Sequence, residues 1–320
     1  MTRKRFDAGR WLRNNWLELL LLAVLVIAIG WLVSLGREIW PKVRPEPVPT
    51  PDPRIFDSQR SLGIVSFLTA LGPRVAGSDA LTATAERIEQ ELRESGWQVE
   101  VQEFDQDGVA RRNIVAWAGS GEPILVGSHY DSSPLADQDP DPANHQAPPP
   151  GANDGGSGTA VLLELARVLD KDRLAGQVRL AFFDGQYRAD GEAVAAGVQA
   201  WATQTPSVEP LQAAVLVDLL GGARQQFIID TASDLALSQQ LWGIAEQLGY
   251  AGWFIPEPQA GLNLGQTALA DLGGPVAVIA GSDASTWRTL QDTAEQIDPE
   301  SLGRVGRVLQ VFLENQPVSP

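Results

Sequence analysis

Two segments of the sequence carry side chains that commonly bind metal ions. The first is His129-Tyr130-Asp131, which ends an apolar, β-branched run, and the second is the Gly-rich segment 151–158, which contains Asp154. Apolar residues at helical spacing follow the second segment. We therefore expect a strand end and a helix start to place both motifs at the carboxyl edge of an open α/β sheet, where ligands bind.

His129 and Asp154 are suitable metal ligands, and Asp131 is placed to orient the imidazole. The alternative is that Ser157 or Asp154 caps the helix and that the glycines only form a tight turn. For the Gly-rich segment alone the two interpretations carry about equal weight. The two motifs together favour a metal site.

Strand and helix patterns alternate through the rest of the chain, which is typical of an α/β layer fold. The strands are expected at 97–104, 113–118, 124–129, 178–184, 213–221, 227–230 and 275–281. Asp218 lies near the end of one of these runs. Asp298 is expected to cap the last helix.

The amino-terminal part of the chain has the composition of a membrane anchor. Residues 16–35 are almost entirely apolar and long enough to span a bilayer as a helix. Residues 1–15 are rich in arginine, so they are expected in the cytoplasm, with the rest of the chain outside. A cleaved signal peptide is the alternative, but no clear small-x-small cleavage site follows the run. Prolines make residues 36–56 an extended linker, and the globular domain is expected at 57–316.

The charge balance excludes one class of partner. Of the 24 basic and 40 acidic residues, eight and three lie in residues 1–44, which leaves 16 and 37 in the remainder, a net charge of −21. So acidic a domain is not expected to bind nucleic acid through its phosphates. The sequence has no cysteine, which excludes disulfides and thiolate metal sites.

Over residues 57–315 the chain resembles the zinc-dependent aminopeptidase and glutaminyl-peptide cyclotransferase family. The resemblance is carried by HYDS at 129–132, the Pro/Asp-rich loop, GANDGGSG at 151–158 and the helix that follows. It implies a mixed, mostly parallel sheet with helices on both faces, and one or two zinc ions at the carboxyl edge. It also implies that peptides or protein amino termini are the partners.

The resemblance assigns two sets of metal ligands, of which this chain matches one. His129, Asp154 and Asp218 match the first set, so the chain is expected to hold at most one zinc ion, or none. In the second set, the positions of a glutamate pair are occupied by Gln186 and Tyr187. Gln186 cannot act as the general base that the family uses there, and Tyr187 is a poor zinc ligand.

The carboxyl-terminal motif departs from the family at one further ligand position. Arg288 stands where the resemblance places a metal-binding histidine, and it is expected to pair with Asp154 as a substitute cation. Trp287 either lines a substrate pocket, as its counterpart does in glutaminyl cyclases, or is a packed aromatic residue. His145 is expected to be exposed, and Glu192 is a weak candidate for a replacement base.

These departures predict a membrane-anchored, extracytoplasmic relative that is catalytically impaired or inactive and binds a peptide or a protein partner. The alternative is a residual aminopeptidase or glutaminyl cyclase that works with a single zinc ion. A third interpretation is an anchor protein whose cleft has no function.

Overall fold

A computed structural model describes residues 8–43, 52–174, 176–204 and 211–314. The chain divides into two compact units between Pro51 and Asp52. In the first unit, helix α1 spans Ala8–Val43. Its segment Asn14–Ser34 is long and apolar enough to cross a membrane, a property that it shares with signal sequences.

Helix α1 is longer than the predicted span at both ends. It continues to Val43, although the linker was predicted to begin at residue 36. A helix keeps its backbone hydrogen bonds on leaving the apolar layer, so the end of the apolar run does not mark the end of the helix. The predicted linker residues 44–51 lie outside the described residues.

The second unit contains a six-stranded sheet in the order β1-β2-β4-β3-β5-β8. Its strands are β1 (Gln98–Gln106), β2 (Val109–Ala118), β3 (Pro123–His129), β4 (Gln177–Phe183), β5 (Ala213–Asp218) and β8 (Val276–Ala280). The pairs β1–β2 and β2–β4 are antiparallel, whereas the pairs β4–β3, β3–β5 and β5–β8 are parallel. The predicted mixed, mostly parallel sheet is confirmed.

A separate parallel pair joins β6 (Phe227–Asp230) to β7 (Phe254–Gln259). The helices of the unit are α2 (Ser58–Ala70), α3 (Asp79–Glu94), α4 (Gly156–Val168), α5 (Ala196–Gln204), α6 (Leu235–Gln247), α7 (Gln266–Ala270) and α8 (Pro299–Glu314). Sequence periodicity did not predict β7, α5 or α7. Two prolines interrupt the alternation of β7, and α5 and α7 have too few residues for a clear helical period.

Alternate side chains of the central strands enter two apolar cores, one on each face of the sheet. In β3, for example, Ile124 and Val126 belong to the larger core and Leu125 to the smaller one. Helices α2, α4 and α8 pack against one another on the larger side, and α5 and α7 on the other. The middle strands are buried on both faces, as is typical of parallel strands that helices cover on each side.

Candidate metal centre

Three predicted ligands meet at the carboxyl edge of the sheet. His129 is the last residue of β3 and Asp218 is the last of the neighbouring parallel strand β5, while Asp154 precedes α4. The Nε2 atom of His129 lies 3.2 Å from Oδ1 of Asp154 and 3.4 Å from Oδ1 of Asp218. All three side chains are buried, and their ligand atoms lie within 4.8 Å of one another.

The donor set fits one metal ion. Nε2 of His129 and Oδ1 of Asp154 are buried and have no hydrogen-bond partner in the described part of the chain. Buried polar atoms are normally hydrogen-bonded. These two atoms face each other but lack hydrogen-bond geometry, which is expected where both bind the same cation. One imidazole nitrogen and two carboxylate oxygens are a suitable set for zinc with an open fourth position.

Asp131 holds the other side of the imidazole. Its Oδ1 and its main-chain oxygen each lie 3.1 Å from Nδ1 of His129. Such a contact fixes the ring orientation and directs Nε2 toward the ligand carboxylates. The second carboxylate oxygen of Asp131 accepts a hydrogen bond of 3.3 Å from the main-chain N of Tyr187. Asp131 therefore links the end of β3 to the segment after β4.

Electrostatics allow the ligand set to carry a proton when no metal is bound. Burial by itself would lower the pKa of His129, but the carboxylates of Asp218, Asp131 and Asp154 raise that pKa well above its usual value. Burial raises the pKa of Asp218, which His129 in turn lowers. An imidazolium between carboxylates thus compensates part of the buried negative charge.

The Gly-rich turn that carries Asp154 is held by its main chain rather than by helix capping. No side chain caps α4, and Ser157 donates its hydroxyl to the main-chain oxygen of Asn153 at 2.6 Å. The capping interpretation is therefore wrong. Gly155 is required because a Cβ there would lie 2.5 Å from the main-chain oxygen of His129.

Asp292 anchors the same turn from the opposite side. Its carboxylate accepts hydrogen bonds from the main-chain N of Asn153 at 2.7 Å and of Asp154 at 3.2 Å. Burial raises the pKa of Asp292 to about 7, although both of these bonds favour its charged form. The last part of the chain thus positions a ligand that lies near its middle.

Arg74 lies beneath the centre and is 0% exposed. Its guanidinium donates to the main-chain oxygens of Tyr130 at 2.8 Å, Pro150 at 3.1 Å and Gly151 at 2.6 Å. In the described part of the chain it has no carboxylate partner within 4.0 Å. Burial lowers its pKa, against the attraction of nearby Asp292, Asp131 and Asp154. One cation therefore ties together the two segments that carry His129 and Asp154.

Tyr187 forms a hydrogen bond to the second carboxylate oxygen of Asp154. Its hydroxyl donates to Oδ2 of Asp154 at 2.7 Å, and its ring meets the imidazole of His129 edge-on at 5.9 Å. Burial, Asp154 and Asp218 raise the pKa of Tyr187 well above its usual value, so the phenol remains a donor. The preceding Gln186 donates its amide to the main-chain oxygen of Asn263 at 2.8 Å.

Arg288 does not pair with Asp154, so that prediction is wrong. It donates to Oδ2 of Asp137 at 2.7 Å, and its Cζ lies 5.7 Å from the ring centroid of Tyr187 and 5.5 Å from that of Trp287. The phenol of Tyr187 already occupies Asp154, and the Pro/Asp-rich loop offers a nearer carboxylate. Trp287 is half-buried beside this arginine.

Two further predictions concern His145 and Glu192. His145 is half-buried rather than exposed, and its Nε2 lies 2.8 Å from the main-chain oxygen of Asp139. Glu192 is exposed and lies near Arg188, away from the ligands. Asp184, which directly follows β4, pairs with Arg111 at 2.9 Å. Burial and Asp131 raise its pKa to about 6 against the effect of that arginine.

Sequence reasoning missed Arg74, Arg111 and the role of Asp292. The side chain of each has hydrogen-bond partners at least 70 positions away in the sequence. Arg74 and Asp292 lie in loops, which give no periodic signal of burial, and Arg111 lies in β2, where a charged side chain does not indicate burial. The only available indication was that Asp292 lies within the carboxyl-terminal motif.

The family model of peptidase family M28 matches residues 113–313, more than half of the chain. The chain belongs to peptidase family M28. The matched segment contains every ligand and supporting residue described above except Arg74 and Arg111. The family is one of zinc peptidases and glutaminyl cyclases, as the sequence resemblance indicated.

Solved structures agree with this assignment. The glutaminyl cyclase of Porphyromonas gingivalis is 29% identical, with a TM-score of 0.76 over 82% of this chain and 99% of that chain. A Zn-dependent exopeptidase of Parabacteroides distasonis is also 29% identical, with a TM-score of 0.75 and the same coverage. Uncharacterized protein YfbL of Escherichia coli is 37% identical over 121 residues. That match covers 37% of this chain and only 36% of the relative.

Proposed function

We propose that this chain is a membrane-anchored M28 relative that has lost catalysis and uses its cleft to bind a peptide or a protein partner. The hydrogen bond from Tyr187 to Oδ2 of Asp154 carries the proposal. In a dinuclear relative this carboxylate bridges two metal ions, and a glutamate at the position of Tyr187 helps to hold the second. Here a phenol takes the oxygen that the second ion would need.

The loss of the general base supports the same conclusion. Gln186 has no basic oxygen to accept a proton from water, and its amide is engaged with Asn263. General acid–base catalysis typically contributes about 10²–10⁴-fold to a rate. Arg288 places a fixed positive charge where the family has a metal-binding histidine, which further disfavours a second ion.

A residual single-zinc enzyme is the competing proposal, and one observation favours it. The unpaired Nε2 of His129 and Oδ1 of Asp154 fit one zinc ion together with Asp218. A bound zinc ion would supply a Lewis acid at the edge of the sheet. His129, Asp154 and Asp218 would hold it, and Asp131 would keep the imidazole oriented. The chain would still lack a base at position 186.

Metal content and activity of the purified full-length chain separate the two proposals. We expect at most one zinc ion per chain by elemental analysis, and no release of amino acids or pyroglutamyl peptides above a His129→Ala control. The control removes the only nitrogen ligand of the centre. Zinc-dependent turnover that His129→Ala abolishes would establish the residual enzyme, and two zinc ions per chain would contradict the loss of the second site.

The proposed topology is supported by the charges around the apolar segment of α1. Residues 1–15 contain five basic side chains and are expected to stay in the cytoplasm. Protease added to intact cells should therefore digest the globular unit and leave a tag fused to the amino terminus intact. Digestion only after the cells are permeabilised would reverse the proposed orientation.

A further inference from the structure

Arg288 belongs to a small cluster whose contacts the proposed loss of catalysis does not require. Its guanidinium lies over the rings of Tyr187 and Trp287 and against Gly191, where a Cβ would be 2.6 Å from Nη2. Its side chain is 12% exposed, and that of its partner Asp137 is 36% exposed. Stacking on two aromatic rings fixes the orientation of the guanidinium. The charge is therefore held in place beside Tyr187, which contacts the metal ligands Asp154 and His129.

The pairing between Arg288 and Asp137 leaves polar atoms unused. Only one contact joins them, from Nη2 to Oδ2 at 2.7 Å. Nε of Arg288 and Oδ1 of Asp137 are buried and have no hydrogen-bond partner among the described residues. An arginine and a carboxylate frequently form two parallel bonds, and a buried donor without a partner is unfavourable. Asp137 is thus a poor fit for this guanidinium.

The backbone of Arg288 is also in an unfavourable conformation. Arg288 has a φ of 54°, in the left-handed region that few residues other than glycine adopt. Strained backbone conformations cluster at ligand-binding sites, where surrounding contacts hold them. The main-chain oxygen of Arg288 accepts from the N of Gln138 at 3.1 Å, which belongs to the same loop as Asp137.

We propose that Arg288 is a binding site for the carboxylate group of a ligand, and that Asp137 occupies it in the free protein. The proposal rests on the non-catalytic use of the cleft. A ligand carboxylate that bonds to both Nε and Nη2 satisfies the unused donor. Asp137 can leave because its side chain is already more than one-third exposed and becomes hydrated on release.

The proposed ligand group is a carboxylate, whereas the family resemblance implies peptides or protein amino termini as partners. A peptide can offer the carboxylate as its carboxyl terminus or as an acidic side chain. The domain is strongly acidic, so weak contacts with anions are opposed by repulsion. Only a ligand that makes the paired contact with Arg288 is expected to bind. A neutral amide cannot replace Asp137 at the same strength, because it lacks the charge.

Calorimetry on the purified full-length chain tests the assignment with three probes. They are trialanine with a free carboxyl terminus, its carboxyl-terminal amide, and an N-acetylated Ala-Asp-Ala amide. Binding of the first or the third, but not of the second, supports a carboxylate site and shows which source it accepts. Asp137→Asn should tighten this binding by about tenfold, since it removes the charged competitor.

Arg288→Gln should weaken binding by about tenfold or more. Arg188→Gln is the matched control, because Arg188 is exposed on a neighbouring segment and pairs with Asp107; it should leave binding unchanged. Thermal melting confirms that each variant is folded. The assignment would be overturned if the trialanine amide bound as tightly as the carboxylate probes. Unchanged binding in Arg288→Gln, or no binding of any probe even in Asp137→Asn, would overturn it as well. Peptide hydrolysis by the parent would instead overturn the proposed function and leave this site standing.

Discussion

Arg74→Met should destabilise the globular unit by about 3–5 kcal/mol, because each of several buried oxygens that loses its donor costs about 1–3 kcal/mol. The substitution leaves the main-chain oxygens of Tyr130, Pro150 and Gly151 without their donor. It also removes the cation that faces Asp131, Asp154 and Asp292. The free energy of unfolding, measured with urea, should show the loss.

Two companion variants separate charge from packing at position 74. Arg74→Lys keeps the charge but cannot bond to three separated oxygens, so it should be intermediate. Arg93→Met removes an exposed arginine that pairs with Glu89 within α3 and should have little effect. Zinc should recover part of the stability of Arg74→Met if His129, Asp154 and Asp218 hold the ion. A stable Arg74→Met protein would show that water satisfies these oxygens.

Gln186→Glu, Tyr187→Glu and Arg288→His together should raise the zinc content from at most one ion to two per chain. The change at 187 frees Oδ2 of Asp154, and that at 186 restores a base. Histidine tolerates the left-handed backbone at 288 better than most side chains do. We expect hydrolysis of aminoacyl anilides at least about 10²-fold above the parent, the lower range for general-base catalysis.

Partial variants show which change is responsible for this gain. Tyr187→Phe frees the same oxygen without adding a ligand, so it should bind no second ion. The variant with only Gln186→Glu and Tyr187→Glu still has Arg288 in the histidine position and should bind the second ion weakly. A folded triple variant that holds no more zinc than the parent would show that the wider cleft, and not these three side chains, excludes the second ion.

The sequence predicted the side chains of the site that lie at the ends of strands or at the start of a helix. His129 and Asp218 end buried parallel strands, and Asp154 precedes a clear helix, so periodicity placed all three at one edge of the sheet. The partners of the charged residues could not be predicted in this way. Arg288 and Asp137 are 151 positions apart and both lie in loops. Their pairing depends on how two loops fold over the sheet, for which the sequence has no periodic signal.

The failed prediction for Arg288 has the same physical origin. Composition indicated correctly that the buried carboxylates need a cation, but it could not identify which arginine supplies the charge. Arg74 follows a Gly-Pro turn after α2 and resembles an ordinary loop residue in the sequence. Only the packed structure shows that this side chain is enclosed beneath the Gly-rich turn.

The Pro/Asp-rich loop begins directly after His129-Tyr130-Asp131 and ends at the Gly-rich turn that bears Asp154. An ion shared by His129 and Asp154 would therefore join the two ends of one loop, as a disulfide does, and lower the entropy of the segment between them. Asp137 lies on that segment. Metal occupancy and the freedom of Asp137 to leave Arg288 would then be linked through the stiffness of a single stretch of chain, in addition to the contacts that Tyr187 makes with Asp154 and Arg288.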